Sequence, residues 1–192
     1  MRDLSRLLRP KSIAVVGGGT WCRSVIEQCE KIGFQGPLWP VHSTADHFAG
    51  HTTFRSIDDL PSAPDATFIG VNRHSTIDVV KSLEQRGGGG AVCFASGFLE
   101  VQAEASDGAE LQSLLLEGAG DMPIIGPNCY GVINYLDRVA LWPDQHGGVK
   151  VGSGVALITQ SSNMAINISM QQRGLPLAYI VTVGNQAQIG FS

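Results

Sequence analysis

The feature that most constrains this sequence is a repeated alternation of short apolar runs with segments of helical periodicity. Residues 12–17 form the first run, a glycine turn follows at 17–20, and residues 23–32 carry apolar side chains at helical spacing. Short buried strands that alternate with helices form a parallel sheet covered on both faces. The sequence therefore predicts an α/β fold, a Rossmann-like doubly wound parallel sheet. Its further apolar runs are at 37–41, 66–71, 91–94 and 123–126.

A second and shorter α/β unit follows. Residues 155–158 and 177–183 are predicted as strands, and residues 164–172 as a helix. Two strands and one helix cannot bury an independent core, so we expect an exposed apolar face on this unit. Such a face would favour self-association into a homo-oligomer or docking of a partner. The predicted divisions are a first domain over 1–134, a connector over 135–154 and the truncated start of a second domain over 155–192.

Composition excludes several classes of function. A formal net charge of −4 and the lack of any Lys/Arg-rich run argue against nucleic-acid binding. No apolar run approaches the length of a membrane span, and the charged N-terminus lacks the apolar region of a signal peptide. The four cysteines form no Cys-x-x-Cys pair and the five histidines are scattered, so we predict no metal site. Free thiols are typical of a reducing cytosol, and we predict a cytoplasmic protein.

The glycine turn Gly17-Gly18-Gly19-Thr20 favours the binding of a phosphate. It lies between a predicted strand and helix, where backbone N–H groups and the helix dipole face an anion. The dinucleotide-binding fingerprint is incomplete, because Cys22 stands where the third glycine would fall. No acidic residue directly follows the second strand, and Asp46 is late for binding a ribose hydroxyl, which counts against an NAD site.

The loop at 126–131 reads Gly-Pro-Asn-Cys-Tyr-Gly and directly follows the apolar residues Ile124 and Ile125. A strand that stops at Gly-Pro in an α/β protein is typical of the carboxyl edge of the sheet, where ligands bind. The loop is therefore predicted to form one wall of a ligand site. Cys129 in this loop is either a small buried hydrophobe or a contact to the ligand, and we expect the contact.

Several motifs together resemble a known family. Residues 7–17 read Leu-Leu-Arg-Pro-Lys-Ser-Ile-Ala-Val-Val-Gly, and residues 95–100 read Ala-Ser-Gly-Phe-Leu-Glu. Besides the loop at 126–131, the sequence has Thr-Gln-Ser-Ser at 159–162 and Gly-Asn at 184–185. These segments are similar to the N-terminal region of NDP-forming (ADP-forming) acyl-CoA synthetases, relatives of the succinyl-CoA synthetase α-subunit.

The resemblance implies a CoA-binding Rossmann domain followed by a flavodoxin-like ligase domain. The implied reaction converts a carboxylic acid, CoA and an NTP to acyl-CoA, NDP and phosphate, through an acyl phosphate and a phosphohistidine. The family's phosphohistidine falls beyond residue 192, and no histidine here matches it, so we predict no catalytic residue. NTP and Mg are expected only in an ATP-grasp domain of the same or a partner chain.

The resemblance also implies which positions contact CoA. The nucleotide end would lie by Gly17, Gly18, Gly19 and Thr20, and Arg23 would supply charge in place of missing backbone donors. The turn formed by Ser161, Ser162 and Asn163 would hold phosphate or acyl phosphate through its backbone N–H groups. The other implied CoA contacts are Val41, His42, Ser43, Asn72, Arg73, Ser96, Gly97, Phe98 and Glu100, with Asn128 and Cys129 near the pantetheine end.

Two other classes of function stay open at this stage. One is an NAD(P)-binding oxidoreductase domain built on the same glycine turn, and the other is a stand-alone CoA- or nucleotide-sensing module without catalysis. Binding of NADH in place of CoA would indicate the oxidoreductase. A gene that extends well past residue 192 would exclude the sensing module.

Overall fold

The structure of the protein is a computed structural model that describes residues 2–99, 107–171 and 173–190. The helices are α1 (Ser5–Leu8), α2 (Thr20–Ile32), α3 (Arg73–Gln85), α4 (Gly108–Ala119) and α5 (Ser162–Ser169). The strands are β1 (Ile13–Val16), β2 (Leu38–Val41), β3 (His47–Phe48), β4 (His51–Thr52), β5 (Ala66–Ile69), β6 (Ala91–Cys93), β7 (Ile124–Ile125), β8 (Val132–Asn134), β9 (Val139–Leu141), β10 (Val155–Thr159) and β11 (Leu177–Thr182).

Five parallel strands form the main sheet, in the order β2-β1-β5-β6-β7. Strand β1 pairs with β2 on one side and with β5 on the other, so the order of the strands reverses at β1. Helices α2, α3 and α4 connect successive parallel strands, as the alternation of apolar runs and helical segments predicts. The predicted parallel α/β fold is therefore confirmed.

Helices cover both faces of the main sheet. Helix α2 buries its apolar stripe, which includes Val25 and Ile26, in one core cluster with Val15 of β1. Leu83 of α3 and Leu115 of α4 belong to a second cluster, on the opposite face of the sheet. Burial of each large apolar side chain contributes about 1.5–3 kcal/mol relative to leaving it exposed. The sheet is doubly wound, in agreement with the prediction.

A second sheet has four strands in the order β10-β11-β8-β9. Strand β10 is parallel to β11, whereas β8 is antiparallel to both β11 and β9. The sequence does not predict β8 or β9, because each has three residues, all of them buried, and shows no alternation. Strand β9 lies inside the segment predicted as a connector, 135–154. The chain leaves the main sheet after β7 and enters the second sheet at β8. The division into domains stays a prediction.

Helix α2 lies between the two sheets. Its Cys29 thiol donates to the carbonyl oxygen of Ala140 in β9, at 3.1 Å. Val132, Val139 and Leu141 of the second sheet share the core cluster of the helix and of one face of the main sheet. The short second unit therefore packs on the first, which is how it buries apolar surface that it could not bury alone.

The second unit nevertheless keeps the exposed apolar surface that the sequence predicts. Strand β10 is at the edge of its sheet and is mostly exposed. Unpaired strand edges and apolar patches favour association, but what covers this surface stays a prediction. No helix among the described residues is long and apolar enough to cross a membrane. Among the described residues of this unit, the large exposed apolar side chains are Val149, Val155, Ile158, Met164, Met170 and Leu175.

Tyr135 and His146 form a buried polar pair in the second unit. The Tyr135 hydroxyl lies 3.2 Å from Nδ1 of His146, and the two residues are 0% and 6% exposed. The other ring nitrogen of His146 is buried and has no hydrogen-bond partner among the described residues. Burial lowers the pKa of His146 from 6.5 to about 4, because the imidazolium would lose its hydration.

The protein should lose stability as the pH falls from 6.5 toward 4, because the unfolded chain takes up a proton at His146 that the folded chain does not. A shift of this size corresponds to about 3 kcal/mol of unfolding free energy. Urea unfolding across this pH range should show a steeper loss in the wild type than in the His146→Gln variant. The exposed His74→Gln variant is the control and should keep the wild-type slope. An unchanged slope in His146→Gln would contradict the assignment.

Candidate functional site

The carboxyl ends of the five parallel strands meet at one edge of the main sheet. The segments that leave β1 and β5 enter α2 and α3, which lie on opposite faces of the sheet. Such a divergence leaves a crevice at the point where the strand order reverses, and α/β proteins bind their ligands there. Two cavities lie along this edge.

The larger cavity has a volume of about 820 Å³. It lies between the loops that follow β5, β6 and β7 on one side and the N-terminus of α5 on the other. The structure therefore brings together two walls that the sequence predicts in distant segments. The predicted site residues that line this cavity are Asn72, Arg73, Ser96, Asn128, Cys129, Ser161, Ser162 and Asn163.

A smaller cavity of about 420 Å³ lies where β1 and β2 end. Val71 lines both cavities, so the two adjoin. Together they follow the carboxyl edge of the sheet from β2 to β7. The predicted site residues that line the smaller cavity are Gly17, Gly18, Val41, His42 and Ser43.

The glycine turn forms as predicted at the start of α2. Gly17 has φ +126°, and a Cβ added there would lie 2.8 Å from the carbonyl oxygen of Gly70. Gly19 is the extended N-cap of α2 and supplies no side-chain cap, and a Cβ added to it would meet open space. The first N–H groups of α2, which begins at Thr20, have no intrahelical partner. This end of the helix is suited to an anion, although Gly19 and Thr20 are outside the lining of both cavities.

Cys22, which replaces the third glycine of the fingerprint, is accommodated by Gly70, which directly follows the neighbouring strand β5. The Cys22 thiol lies 3.5 Å from the carbonyl oxygen of Val16 and 3.8 Å from that of Gly70. A Cβ added to Gly70 would lie 2.3 Å from the Cys22 sulfur, so Gly70 leaves the space that the thiol fills. Helix α2 thus keeps its close approach to β1 without the third glycine.

His42 is held with one ring nitrogen toward its own loop. Its Nδ1 accepts hydrogen bonds from the backbone N–H groups of Thr44 and Ala45, at 3.2 and 3.0 Å. The neutral ring must then carry its proton on Nε2. A Cβ added to Gly18 would lie 2.2 Å from Nε2, so the ring rests on the glycine turn. His42 thus lines the smaller cavity, with its protonated ring nitrogen beside Gly18.

The loop at 126–131 rests on the end of β6. Gly126 has φ +103°, and a Cβ added there would lie 2.6 Å from the carbonyl oxygen of Cys93. Asn128 has φ +57°, and its backbone N–H donates to the carbonyl oxygen of Ala95 at 2.9 Å. The Asn128 side chain is exposed at the larger cavity. The loop forms a cavity wall, as the sequence predicts.

The turn before α5 forms the opposite wall. The hydroxyl of Ser161, the N-cap residue, accepts from the N–H of Met164 at 3.4 Å. The hydroxyl of Ser162 accepts from the N–H of Tyr130 at 3.2 Å, which ties α5 to the 126–131 loop. Both hydroxyls thus bond to backbone. The N–H groups of Ser162 and Asn163 have no intrahelical partner, so this end of the helix is suited to an anion.

Two arginines differ from the predicted arrangement. The Arg73 guanidinium donates to the carbonyl oxygen of Gly97 at 2.7 Å and pairs with Asp107 at 3.0 Å. Its charge is therefore already balanced, and it holds the loop that follows β6. The guanidinium carbon of Arg23 lies 5.1 Å from the ring centroid of Phe48, and Arg23 lines neither cavity. Arg23 makes a cation–π contact in this structure, and its predicted contact with CoA stays a prediction.

The wall predicted over residues 96–100 is only partly formed as expected. Ser96 lines the larger cavity, but Phe98 is fully buried in the core cluster that also contains Leu111. A buried aromatic ring contributes to packing, so a direct contact of the Phe98 side chain with the ligand is corrected. The predicted contact at Glu100 lies outside the described residues.

The cysteines are buried and poorly suited to nucleophilic chemistry. Burial raises the pKa of Cys22 to about 11 and the pKa values of Cys29 and Cys93 to about 12. Burial likewise raises the pKa of Cys129 well above its ordinary value, and its side chain is 2% exposed. A thiol that stays protonated is a weak nucleophile. Within the described ranges no three side chains of the metal-binding types cluster together.

The structure also places residues at the cavities that the sequence does not single out. Phe94 and Tyr130 line the larger cavity, and Arg55 and Asp78 line the smaller one. Tyr130 lies inside the predicted loop, so its position in the motif is a usable signal. Arg55 reaches the site because Phe54 bridges to Val41 of β2, a pairing that no local pattern predicts.

The fold and the paired cavities define a class: a Rossmann-like α/β domain with a nucleotide-type ligand site at the point where the strand order reverses. The chain belongs to the family described as "CoA binding domain", which matches residues 11–135. The resemblance to ADP-forming acyl-CoA synthetases is also confirmed, because proteins similar to this chain carry such names.

Trans-feruloyl-CoA synthase FCS1, from an unknown prokaryotic organism, is 32% identical over 98% of this chain and 28% of its own length. Acetate–CoA ligase [ADP-forming] II of Archaeoglobus fulgidus is 30% identical over 99% of this chain and 27% of its own length. A solved structure, the apo form of the dinucleotide forming acetyl-coenzyme A synthetase 1 of Ca. Korarchaeum cryptofilum, superposes with a TM-score of 0.85 and 29% identity. It covers 98% of this chain and 41% of its own. The chain thus spans less than half of each of these proteins.

The glycine turn allows a matched test of its geometry. Gly17→Ala should lower the unfolding free energy by about 1–3 kcal/mol, because alanine is strained at φ +126° and its Cβ would meet Gly70. Gly19→Ala is the control and should leave the unfolding free energy nearly unchanged, since its Cβ meets open space. Urea unfolding measures both, and equal effects of the two substitutions would contradict the geometry.

Proposed function

We propose that the two adjoining cavities bind one molecule of CoA across Val71, and that the chain is the CoA-binding portion of an NDP-forming acyl-CoA synthetase. The observation that carries the proposal is that most of the predicted CoA contacts, together with the predicted phosphate turn, line two cavities that meet at one edge of the sheet. A long, bent ligand with phosphates at one end and a thiol at the other suits two connected cavities. Membership of the CoA-binding family supports the same ligand.

The nucleotide end of CoA would lie at the smaller cavity. The N-terminus of α2 offers unpaired N–H groups and a favourable dipole to the phosphates, and His42 offers its Nε2–H donor. The space in front of Gly19 is open to a ligand. Ser43 and Arg55 would add polar contacts from the same wall. The residues present therefore fit the phosphate-bearing end of CoA.

The pantetheine end would lie at the larger cavity, past Asn128. The N-terminus of α5 would hold an inorganic phosphate or an acyl phosphate there through backbone N–H groups. The reaction supplied by this arrangement is attack of the CoA thiol on an acyl phosphate, with release of phosphate. The part of this chain is to bind and orient the reactants and to stabilise charge on phosphoryl oxygens.

The relatives extend well beyond the region that this chain matches. The remaining parts of the proposed enzyme would lie in that additional region. These are the phosphohistidine and the ATP-grasp domain that would bind an NTP and Mg, in the same chain or in a partner. The isolated chain should therefore bind CoA without turning it over. The proposal includes a cytoplasmic location and a homo-oligomeric assembly. It also includes docking of these domains on the exposed surface of the second unit.

Calorimetric titration of the chain with CoA, dephospho-CoA and NADH tests the proposal. CoA should bind saturably, dephospho-CoA about tenfold more weakly because it lacks a charged hydrogen-bond acceptor, and NADH not at all. Binding of NADH without CoA would favour the oxidoreductase. If the chain binds CoA but the full-length protein has no ligase activity, the result would favour the sensing module.

The role of His42 has its own test. His42→Ala should weaken CoA binding about fivefold to tenfold in the same titration, because one hydrogen bond to a charged group is lost. His74→Ala is a matched control, since His74 is exposed and lines neither cavity. Equal affinities of His42→Ala and the wild type would remove His42 from the site.

A further inference from the structure

We propose that three aromatic rings beside the larger cavity form a stacking site for a planar aromatic acyl group, which would make aromatic acids the substrate class of the enzyme. The proposal rests on the proposed function and deepens it. The rings belong to Trp21, Phe94 and Tyr130, and are called the aromatic shelf below. The relatives described above carry the names of both an aromatic and a short acid, so they do not choose between these classes.

The shelf is a closed triangle of rings. The ring centroid of Trp21 lies 5.5 Å from that of Phe94 and 5.9 Å from that of Tyr130. The centroids of Phe94 and Tyr130 lie 5.8 Å apart. Phe94 and Tyr130 line the larger cavity, and Trp21, which is outside that lining, packs against both of their rings. Trp21 is 44% exposed, an unusual degree for a large aromatic side chain that has two aromatic neighbours. A flat ligand could therefore add to the cluster without displacing a ring.

Buried rings hold the shelf from behind. Phe68 lies 5.7 Å from Phe94, and Trp142 meets Tyr130 edge-on at 5.4 Å. Phe68 and Trp142 are fully buried, one in each of two core clusters. A site whose rings are already fixed by packing loses little conformational freedom when a ligand stacks on it. The arrangement is that of a preorganised aromatic site.

The position of the shelf favours an acyl group over the adenine of CoA. The N–H of Tyr130 donates to the hydroxyl of Ser162 at 3.2 Å, so the shelf directly adjoins the turn proposed for the acyl phosphate. The cavity proposed for the nucleotide end lies beyond Val71, and none of the three shelf residues is in its lining, although Trp21 belongs to the first turn of α2. An acyl group carried at the α5 turn would thus be next to the aromatic rings, which attract flat π systems more strongly than saturated groups of the same size.

The test compares three thioesters, benzoyl-CoA, cyclohexanecarbonyl-CoA and acetyl-CoA, by calorimetry on the chain. Benzoyl-CoA should bind about threefold to tenfold more tightly than its saturated counterpart, which matches it in size but has no π face. Trp21→Leu should bring that ratio close to one and leave the affinity for CoA unchanged. Trp21→Phe keeps a ring and should retain most of the preference. Leu114→Ala is the matched control, because Leu114 is similarly exposed, at 42%, and is not part of the aromatic shelf.

Two results would overturn the proposal. A ratio that Trp21→Leu leaves at the wild-type value would remove the shelf from acyl recognition. An equal weakening of CoA and all three thioesters would assign the shelf to the adenine, which they share.

If the wild type binds no CoA, the proposed function fails. The aromatic shelf can then still be tested separately, with the free acids. Saturation-transfer NMR should then detect benzoate but not cyclohexanecarboxylate on the wild type, and no benzoate on Trp21→Leu. The absence of a benzoate signal on the wild type would overturn the inference.

Discussion

The hydrogen bonds of the loop at 126–131 fix how the two sheets meet, and the candidate site depends on them. The N–H of Gly131 donates to the hydroxyl of Thr182, and the N–H of Thr182 donates to the carbonyl oxygen of Gly131, both at 2.9 Å. The N–H of Asn185 donates to the carbonyl oxygen of Pro127, also at 2.9 Å. The chain thus passes directly from the edge of the main sheet into the second sheet. This passage brings the N-terminus of α5 to the larger cavity.

The site relies on backbone donors more than on charged side chains. Helices α2 and α5 both begin at the carboxyl edge, one by each cavity, and their free N–H groups face the positions proposed for phosphate. Arg73, the basic residue at the larger cavity, is already paired with Asp107. Anion binding by helix N-termini is compatible with a chain whose formal net charge is −4, because no basic patch is needed. The aromatic shelf, with Phe68 and Trp142 behind it, adds apolar surface to the site.

Local pattern predicts the parts of this fold that are periodic and the parts that carry a turn motif. The main sheet and its helices follow from the alternation of apolar runs with helical periodicity, and the loops at 17–20 and 126–131 follow from their glycines. Strands β8 and β9 do not, because three buried residues leave no period to detect. The side-chain partners of Arg23 and Arg73 are equally absent from the sequence, since tertiary packing sets them. The sequence predicts the cavity walls one by one, but it does not predict that the two cavities adjoin at Val71.

A crystal structure of the chain grown with CoA tests the central claim most directly. The account predicts one CoA molecule that crosses Val71, with its phosphates at the glycine turn of the smaller cavity and its thiol end between Asn128 and the α5 turn. Density for CoA confined to one cavity, or at a surface away from the carboxyl edge of the main sheet, would contradict it.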